Sequence, residues 1–345
     1  MTTQPDHGPA DTATVRAVYR DAVVVDGSVD PLMDGTYLER LSASGVTAIN
    51  WTVCDPWADF APAVEQIVRG VRLIEDHPDR LLLVRSTSDI RHARATGRVG
   101  VILGPQNALP CEAGGFAFDV LHALGVRILQ LTYNERNAFG DGAAERQDGG
   151  LTDAGRRAIR AMNRVGMVVD LSHCGDRTTL EAIELSATPP VVTHANSRTL
   201  HPSPRNKTDE QLRALAARGG VIGLTLWSPM LGYARQATIG DWIRQVAYVA
   251  DLIGIEYVGI GTDQSEGTPR ASWAHDYGAG GRYPTITGPM GDWYDYDTRF
   301  AAGGGSASDM PRIAESLAEL RLTETELRGV LGENFVRVFD SAWIT

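Results

Sequence analysis

Two histidines, His173 and His194, each follow a short apolar, β-branched run, Met167–Ser172 and Pro190–Thr193. Neutral imidazole is a zinc ligand, and two imidazoles projecting from the ends of neighbouring strands can share one ion. Either histidine alone reads as a satisfied structural residue; their equivalent positions on successive runs turn the balance toward a site. Asp263 follows a third run, Tyr257–Thr262. There a carboxylate either accepts a proton from a metal-bound water or caps the next turn. Arg205, in His201-Pro-Ser-Pro-Arg205-Asn206, carries a forked guanidinium that suits a substrate carboxylate or braces its own loop through an ion pair. Cys174 directly follows His173, but no base is placed for it, so it reads as a small buried residue rather than a nucleophile.

These residues need a scaffold that brings strand ends together. Eight apolar runs recur along the chain: Ala22–Gly27, Val46–Val53, Val99–Gly104, Arg127–Thr132, Met167–Ser172, Pro190–Thr193, Gly220–Leu226 and Tyr257–Thr262. Continuous short runs suit parallel strands buried on both faces. The amphipathic stretches between them read as helices, capped at Thr152 or Thr208 and ending near Gly45, Gly125, Gly166, Gly219 and Gly254. Eight alternations without a GxGxxG after the first run predict an α/β fold, a (β/α)8 TIM barrel, rather than a dinucleotide-binding sheet. In such a barrel the chemistry gathers at the C-terminal strand ends. Those ends carry Ser28 and Asp30, Cys54 and Asp55, Gln106 and Asn107, Tyr133 and Asn134, His173, His194 and Asn196, and Asp263.

The 345 residues, 43% hydrophobic, form one domain in this reading, with 1–20 as an N-terminal extension. Leu81–Val84 is an extra strand candidate, and 264–305 is a long insertion or lid loop. Its aromatics, Trp273, Tyr277, Tyr283, Trp293, Tyr294 and Tyr296, either line a pocket or pack on themselves or on a second subunit. A net charge of −11 argues against nucleic acid or an anionic membrane as partner, leaving a small molecule. Three cysteines without CxxC spacing, no signal-like N-terminus and no apolar run of membrane-spanning length suggest a reduced, cytoplasmic setting.

In order, Gly125-Val-Arg-Ile-Leu-Gln-Leu-Thr-Tyr133-Asn134, Met162-Asn-Arg-Val-Gly-Met-Val-Val-Asp-Leu-Ser-His173, Val192-Thr-His194, Arg205-Asn206-Lys-Thr-Asp209 and Gly259-Ile-Gly-Thr-Asp263 resemble the motifs of the membrane (renal) dipeptidase family. The similarity runs from about Asp26 to Asn334. It implies an amidohydrolase-like barrel, often dimeric, with a binuclear zinc site that cleaves dipeptides. On this pattern His173 and His194 hold the second metal, Asp263 is the base, and Arg205 and Asn206 bind substrate. Three positions depart from it. The first strand ends Ser28-Val29-Asp30 where the family has His-x-Asp, Gln106 stands for the bridging glutamate, and Tyr133 replaces a histidine that polarises the substrate carbonyl. Asp30 is then the main donor left for the first ion, and two close cations without a bridging anion repel. The expectation is one zinc per chain rather than two, held by His173 and His194 with Gln106 or water, in a hydrolase acting on a dipeptide or related small amide. A non-hydrolytic tailoring enzyme that moves protons, or a silent, metal-free binding protein, stays open.

Overall fold

A computed structural model describes residues 10–278 and 280–343. Nine strands are present among them: β1 (Val25–Val29), β2 (Ala48–Trp51), β3 (Leu81–Leu83), β4 (Val99–Leu103), β5 (Ile128–Gln130), β6 (Val168–Asp170), β7 (Val191–Ala195), β8 (Val221–Leu224) and β9 (Val258–Ile260). All pair in parallel, in the order β3-β4-β2-β1-β9-β8-β7-β6-β5. The ring closes between β4 and β5, where the Arg127 N–H donates to Leu103 O at 3.1 Å and the Gln130 N–H to Pro105 O at 3.0 Å. Lower on the same edge, β3 pairs with Val99–Val101 of β4. The barrel thus has eight members, with β3, the extra candidate of the sequence, lodged in the seam.

Each of the eight anticipated runs overlaps a barrel strand, although β1 extends past Gly27 to Val29 and leads directly into Asp30, and β7 extends past Thr193 to Ala195, so that His194 lies within the strand. Capping fixed the helices as expected: the Thr152 side chain accepts from the Gly155 N–H, and Thr208 and Gln211 form a reciprocal capping box. The described part of the N-terminal extension is packed on the barrel. Within it a helix at Thr12–Asp21, capped by Asp11, buries Val15, Val18 and Tyr19, and Arg16 pairs with Glu315 at 2.6 Å. The 264–305 insertion carries two short helices, Arg270–Tyr277 and Pro284–Thr287. No helix among the described residues is long and apolar enough to cross a membrane.

Inside the barrel, glycines decide how close the strands come. A Cβ on Gly27, Gly223 or Gly259 would meet the Phe335 ring at 2.7, 3.1 or 2.6 Å. Phe335, from the helix at Asn334–Ala342, therefore plugs the barrel floor in space that only these glycines leave. One layer higher, a Cβ on Gly223 or Gly261 would lie 2.1 or 1.8 Å from Thr193 O. The missing side chains let β7 lean across the interior toward β9, which brings His194 near Asp263.

Gly261→Ala is expected to destabilise the fold by about 1–3 kcal/mol, because its methyl group meets a backbone carbonyl that cannot move aside. Gly35→Ala, at a helical position where a Cβ meets nothing within 4 Å, should be neutral or stabilising by up to about 1 kcal/mol. Urea midpoints at unchanged slope check both; equal midpoints for the two variants would refute the packing argument.

Candidate active site

Two buried carboxylates organise the strand ends. Asp170 accepts from the Ser172 N–H (3.1 Å) and hydroxyl (2.6 Å) and from the Thr193 N–H (3.0 Å) and hydroxyl (2.7 Å), so β6 is fastened to β7. Asp26 does the same between β1 and β9, accepting from the Thr262 N–H at 2.9 Å, the Thr262 hydroxyl at 2.6 Å and the Ser28 N–H at 3.3 Å. Burial pushes both carboxyl groups upward, Asp26 to about 7, and the hydrogen bonds oppose this. Each fastened threonine directly precedes a site residue, His194 or Asp263. Sequence reasoning missed this pair, although the repeated Asp-x-Ser of Asp26–Ser28 and Asp170–Ser172 was a signal.

A cavity of about 50 Å³ at this mouth is lined by Asp30, Gln106, Tyr133, His173, Arg205 and Asp263, six of the residues singled out in the sequence. His194 lies fully buried behind His173. Asn206 does not reach the cavity. Its amide donates to His201 O (2.8 Å) and Met230 O (3.0 Å), and its carbonyl accepts from the Asn196 N–H (3.2 Å). In this structure its amide is engaged with three backbone partners and braces the loop.

The histidine tautomers follow from their partners. The His173 Nδ1–H donates to Asn134 Oδ1 at 2.8 Å. The His194 Nδ1–H donates to Thr193 Oγ1 at 2.9 Å, since that hydroxyl's own proton goes to Asp170. Both Nε2 lone pairs then face each other at 2.8 Å. Burial, with Arg205 next in effect, pushes both imidazoles well below the ordinary histidine range, so a proton between them is disfavoured. Neutral rings with outward N–H groups held by hydrogen bonds are the arrangement that ligates a divalent ion. Asp263 Oδ1 is 3.9 Å from His194 Nε2. Its carboxyl group is raised to about 7 by burial, which Arg205 partly offsets, and its backbone sits in the left-handed region at φ 61°.

The other half of the site is different in kind. Gln106 Nε2 donates to Thr52 Oγ1 (2.7 Å) and Ser28 Oγ (3.3 Å), a neutral cluster with N–H groups where an ion would need lone pairs. Asp30 supplies the carboxyl group there, but burial, with Asp263 and Asp55, pushes it up to about 8, so at neutral pH it is mostly protonated and supplies little negative charge. Among the described residues no three His, Cys, Asp or Glu side chains form a complete metal cage. His173 and His194 thus present two neutral nitrogen donors that an ion could use, whereas Ser28 and Gln106 present no ionisable ligand.

Around this centre, Arg205 is buried; its Nη1 donates to Ser172 O and its Nη2 has no partner among the described residues. Burial lowers its guanidinium only to about 10, so it stays charged and offers a free donor. Tyr133 stacks on His173 at 4.1 Å, and its hydroxyl bonds to that of Tyr277 from the lid. The lid aromatics divide between the two roles left open. Trp273 and Tyr277 line the cavity, while Trp273, Met290 and Tyr294 also form their own small core. Lys207, another residue not anticipated, is buried behind the histidines and donates to Cys174 O at 3.0 Å. Cys174 is free and buried, with its sulfur accepting from the Thr132 hydroxyl at 3.3 Å.

A closed parallel barrel with two metal-competent histidines and carboxylates at its C-terminal mouth defines an amidohydrolase-like hydrolase. The model of the membrane dipeptidase family, peptidase family M19, matches residues 12–288, and the chain belongs to that family of metallopeptidases. Dipeptidase verJ of Clonostachys rogersoniana is 27% identical over 323 residues, 89% of this chain and 75% of its own length. Dipeptidase aclJ of Aspergillus oryzae is 28% identical over 275 residues, 76% of this chain and 64% of its own length. An amidohydrolase from Pseudomonas aeruginosa superimposes with a TM-score of 0.87 at 33% identity, covering 97% of this chain and 99% of its own. A metallopeptidase from Rhodobacter sphaeroides, solved with a phosphinate mimic of L-Ala-D-Ala, shares the fold at a TM-score of 0.74 and 20% identity, covering 93% and 99%.

Lys207 supplies a pH prediction. Burial lowers its ammonium from 10.5 to about 8. Between those values the unfolded chain binds the extra proton, so this residue makes stability rise with pH from about 8 and penalises the fold fully below it. Lys207→Met should flatten that rise, read from urea unfolding at pH 7.5 and 9.5; an equal slope in both proteins would show that the lysine titrates normally.

Proposed function

We propose that this chain is a zinc-dependent hydrolase of the dipeptidase type that works with a single ion at His173 and His194 and acts on a dipeptide or a related small amide. The observation that carries the reading is the pair of converging Nε2 lone pairs, with protonation suppressed and both Nδ1–H groups held. Family membership and relatives named as dipeptidases support the substrate class. Bound zinc would supply a water of lowered pKa and polarise the scissile carbonyl.

The chain's own groups divide the remaining work. Asp263, raised to about 7, is suited to accept the proton of the attacking water and return it to the leaving amine. The unpartnered Arg205 Nη2 is suited to the substrate carboxylate, and the unpartnered Asn134 Nδ2 offers a further N–H near the histidines. Tyr133 replaces a cationic donor with a phenol already bonded to Tyr277, so the developing oxyanion is less well held. The cavity of about 50 Å³ is far below the roughly 300–1,000 Å³ of pockets that take drug-sized ligands, so the lid has to withdraw for a dipeptide to enter. The Tyr133–Tyr277 phenol pair beside Asp263 favours one second reading, proton transfer without amide cleavage.

Metal analysis of protein purified without chelator should give at most one tightly held zinc per chain, and none in His173→Ala or His194→Ala. Ordinary dipeptides should be cleaved about a hundred- to a thousandfold more slowly than by the combined variant Ser28→His, Gln106→Glu, Tyr133→His, the usual effect of a lost oxyanion donor. Asp263→Asn should abolish turnover in either background. Two dialysis-resistant equivalents in the wild type would overturn the single-ion reading. Zinc-loaded protein that moves protons on a peptide-derived substrate but cleaves no amide would favour the second.

A further inference from the structure

At the end of the barrel where the strands begin, away from the catalytic mouth, lies a cavity of about 520 Å³. Two of its walls lead into the sheet: the helix at Thr12–Asp21 runs into β1, and the end of the helix at Gly35–Ser44 runs into β2. Spacing along the first helix sets what faces this hollow. Val15 and Val18 turn to the core, while Arg16, Tyr19 and Arg20, at i, i+3 and i+4, share the side that borders it. Tyr19 is buried with its hydroxyl donating to Ser44 O at 2.7 Å, and its ring joins Ala43 and Pro311 in the apolar part of the wall. Arg94, from the helix at Thr87–Thr96, completes the lining.

The charges here do not balance. Arg16 is paired with Glu315, which accepts from its Nε at 2.6 Å and its Nη2 at 3.0 Å. Arg94 donates its Nε to Ala22 O at 3.0 Å and its Nη2 to Arg20 O, a common task for a basic side chain at a helix end, but its Nη1 has no partner among the described residues. Arg20 donates only its Nε, to Arg16 O at 3.3 Å, so both of its Nη groups are open among the described residues. Three guanidinium groups against one carboxylate leave two positive charges, on a chain whose net charge is −11. Beyond Ala43 the adjoining hollow carries Glu39 and Asp79 beside Arg80, so the positive excess is confined to this one.

Guanidinium forks match phosphate oxygens, and a phosphate monoester carries about −1.5 to −2 at neutral pH, the charge that offsets this excess. An inorganic ion would leave the apolar wall uncovered and most of the hollow unfilled, whereas about 520 Å³ lies within the roughly 300–1,000 Å³ of small-molecule sites. We propose that the hollow is a second ligand site, for a phosphate monoester with a small aromatic or aliphatic body, its phosphate held by Arg20 and Arg94 and its body laid against Tyr19 and Pro311. Such a ligand links the N-terminal helix to the helices at Gly35–Ser44 and Thr87–Thr96, so its binding stabilises the folded chain. The site stands apart from the catalytic mouth and does not depend on how many metal ions bind there.

Phenyl phosphate is the probe, with phenol and inorganic phosphate as its two halves, each titrated calorimetrically into the full chain. Phenyl phosphate should bind saturably, and each half at least about tenfold more weakly. Arg20→Gln should weaken it by about tenfold, the usual effect of one lost charge-assisted contact, and Ala43→Trp, which fills the hollow from an exposed position, should abolish it. Both changes lie at exposed residues, so urea midpoints should match the wild type and show that the fold is intact. Arg213→Gln, an exposed arginine on the helix at Asp209–Ala217, and His173→Ala should leave the affinity unchanged. Absence of binding, or inorganic phosphate binding as tightly as the ester, overturns the site. Binding that survives Ala43→Trp or is lost in His173→Ala also overturns it, because the probe would then sit elsewhere, in the second case at the catalytic mouth.

Discussion

The site depends on carboxylates placed where charge is hardest to keep. Asp26 and Asp170 sit inside the barrel, and a carboxylate taken out of water persists there only if its oxygens are supplied with donors. Each finds them on the next strand, at a threonine whose N–H and hydroxyl both point to it. The requirement works in two directions. Satisfying the charge fixes the spacing of two strand ends, and the fixed strand end presents the following residue at one angle. The proton of Thr193 is committed to Asp170, and this in turn settles the tautomer of His194. A hydrogen-bond chain thus runs from the interior to the reactive nitrogen.

The same logic bears on the corner formed by Ser28, Thr52 and Gln106. At the positions where the resemblance implies a histidine and a carboxylate, Ser28 and Gln106 are joined by hydrogen bonds from the Gln106 amide to Ser28 and Thr52. A half-emptied metal site with orphaned groups would be destabilising, whereas a neutral hydrogen-bonded cluster is not. Among the buried groups without a partner, Arg205 Nη2, Asn134 Nδ2 and the Trp273 indole N–H belong to residues that line the catalytic cavity. They are one cationic and two neutral donors, all suited to oxygen atoms of a polar ligand.

Strand runs, cap residues and strand-end polar groups made the barrel and most of its mouth legible in the sequence, because parallel strands buried on both faces leave continuous apolar runs. The helix at Thr12–Asp21 was hidden by its polar outer face, with only Val15, Val18 and Tyr19 giving away the buried side. The family motif marks the position of Asn206 without saying which way the amide faces; its partners at His201 and Met230 are set by loop geometry. Lys207 and the Asp26 and Asp170 fasteners were out of reach for a related reason. Their roles lie in contacts across distant segments, and a single sequence records residue types but not pairings.

Phe335 carries a consequence for how this chain is made. Its ring fills the barrel floor between glycines of β1, β8 and β9, yet it emerges from the ribosome only after every strand has been synthesised. Until then those glycines border an unfilled space, and β1 lacks its neighbour β9 as well. The early strands can only wait in a partly assembled form with apolar edges uncovered, the kind of species on which chaperones act. Closure of the ring and insertion of the aromatic plug then belong to one late, cooperative step, so premature termination shortly before Phe335 would yield aggregation-prone product and not a slightly weakened barrel.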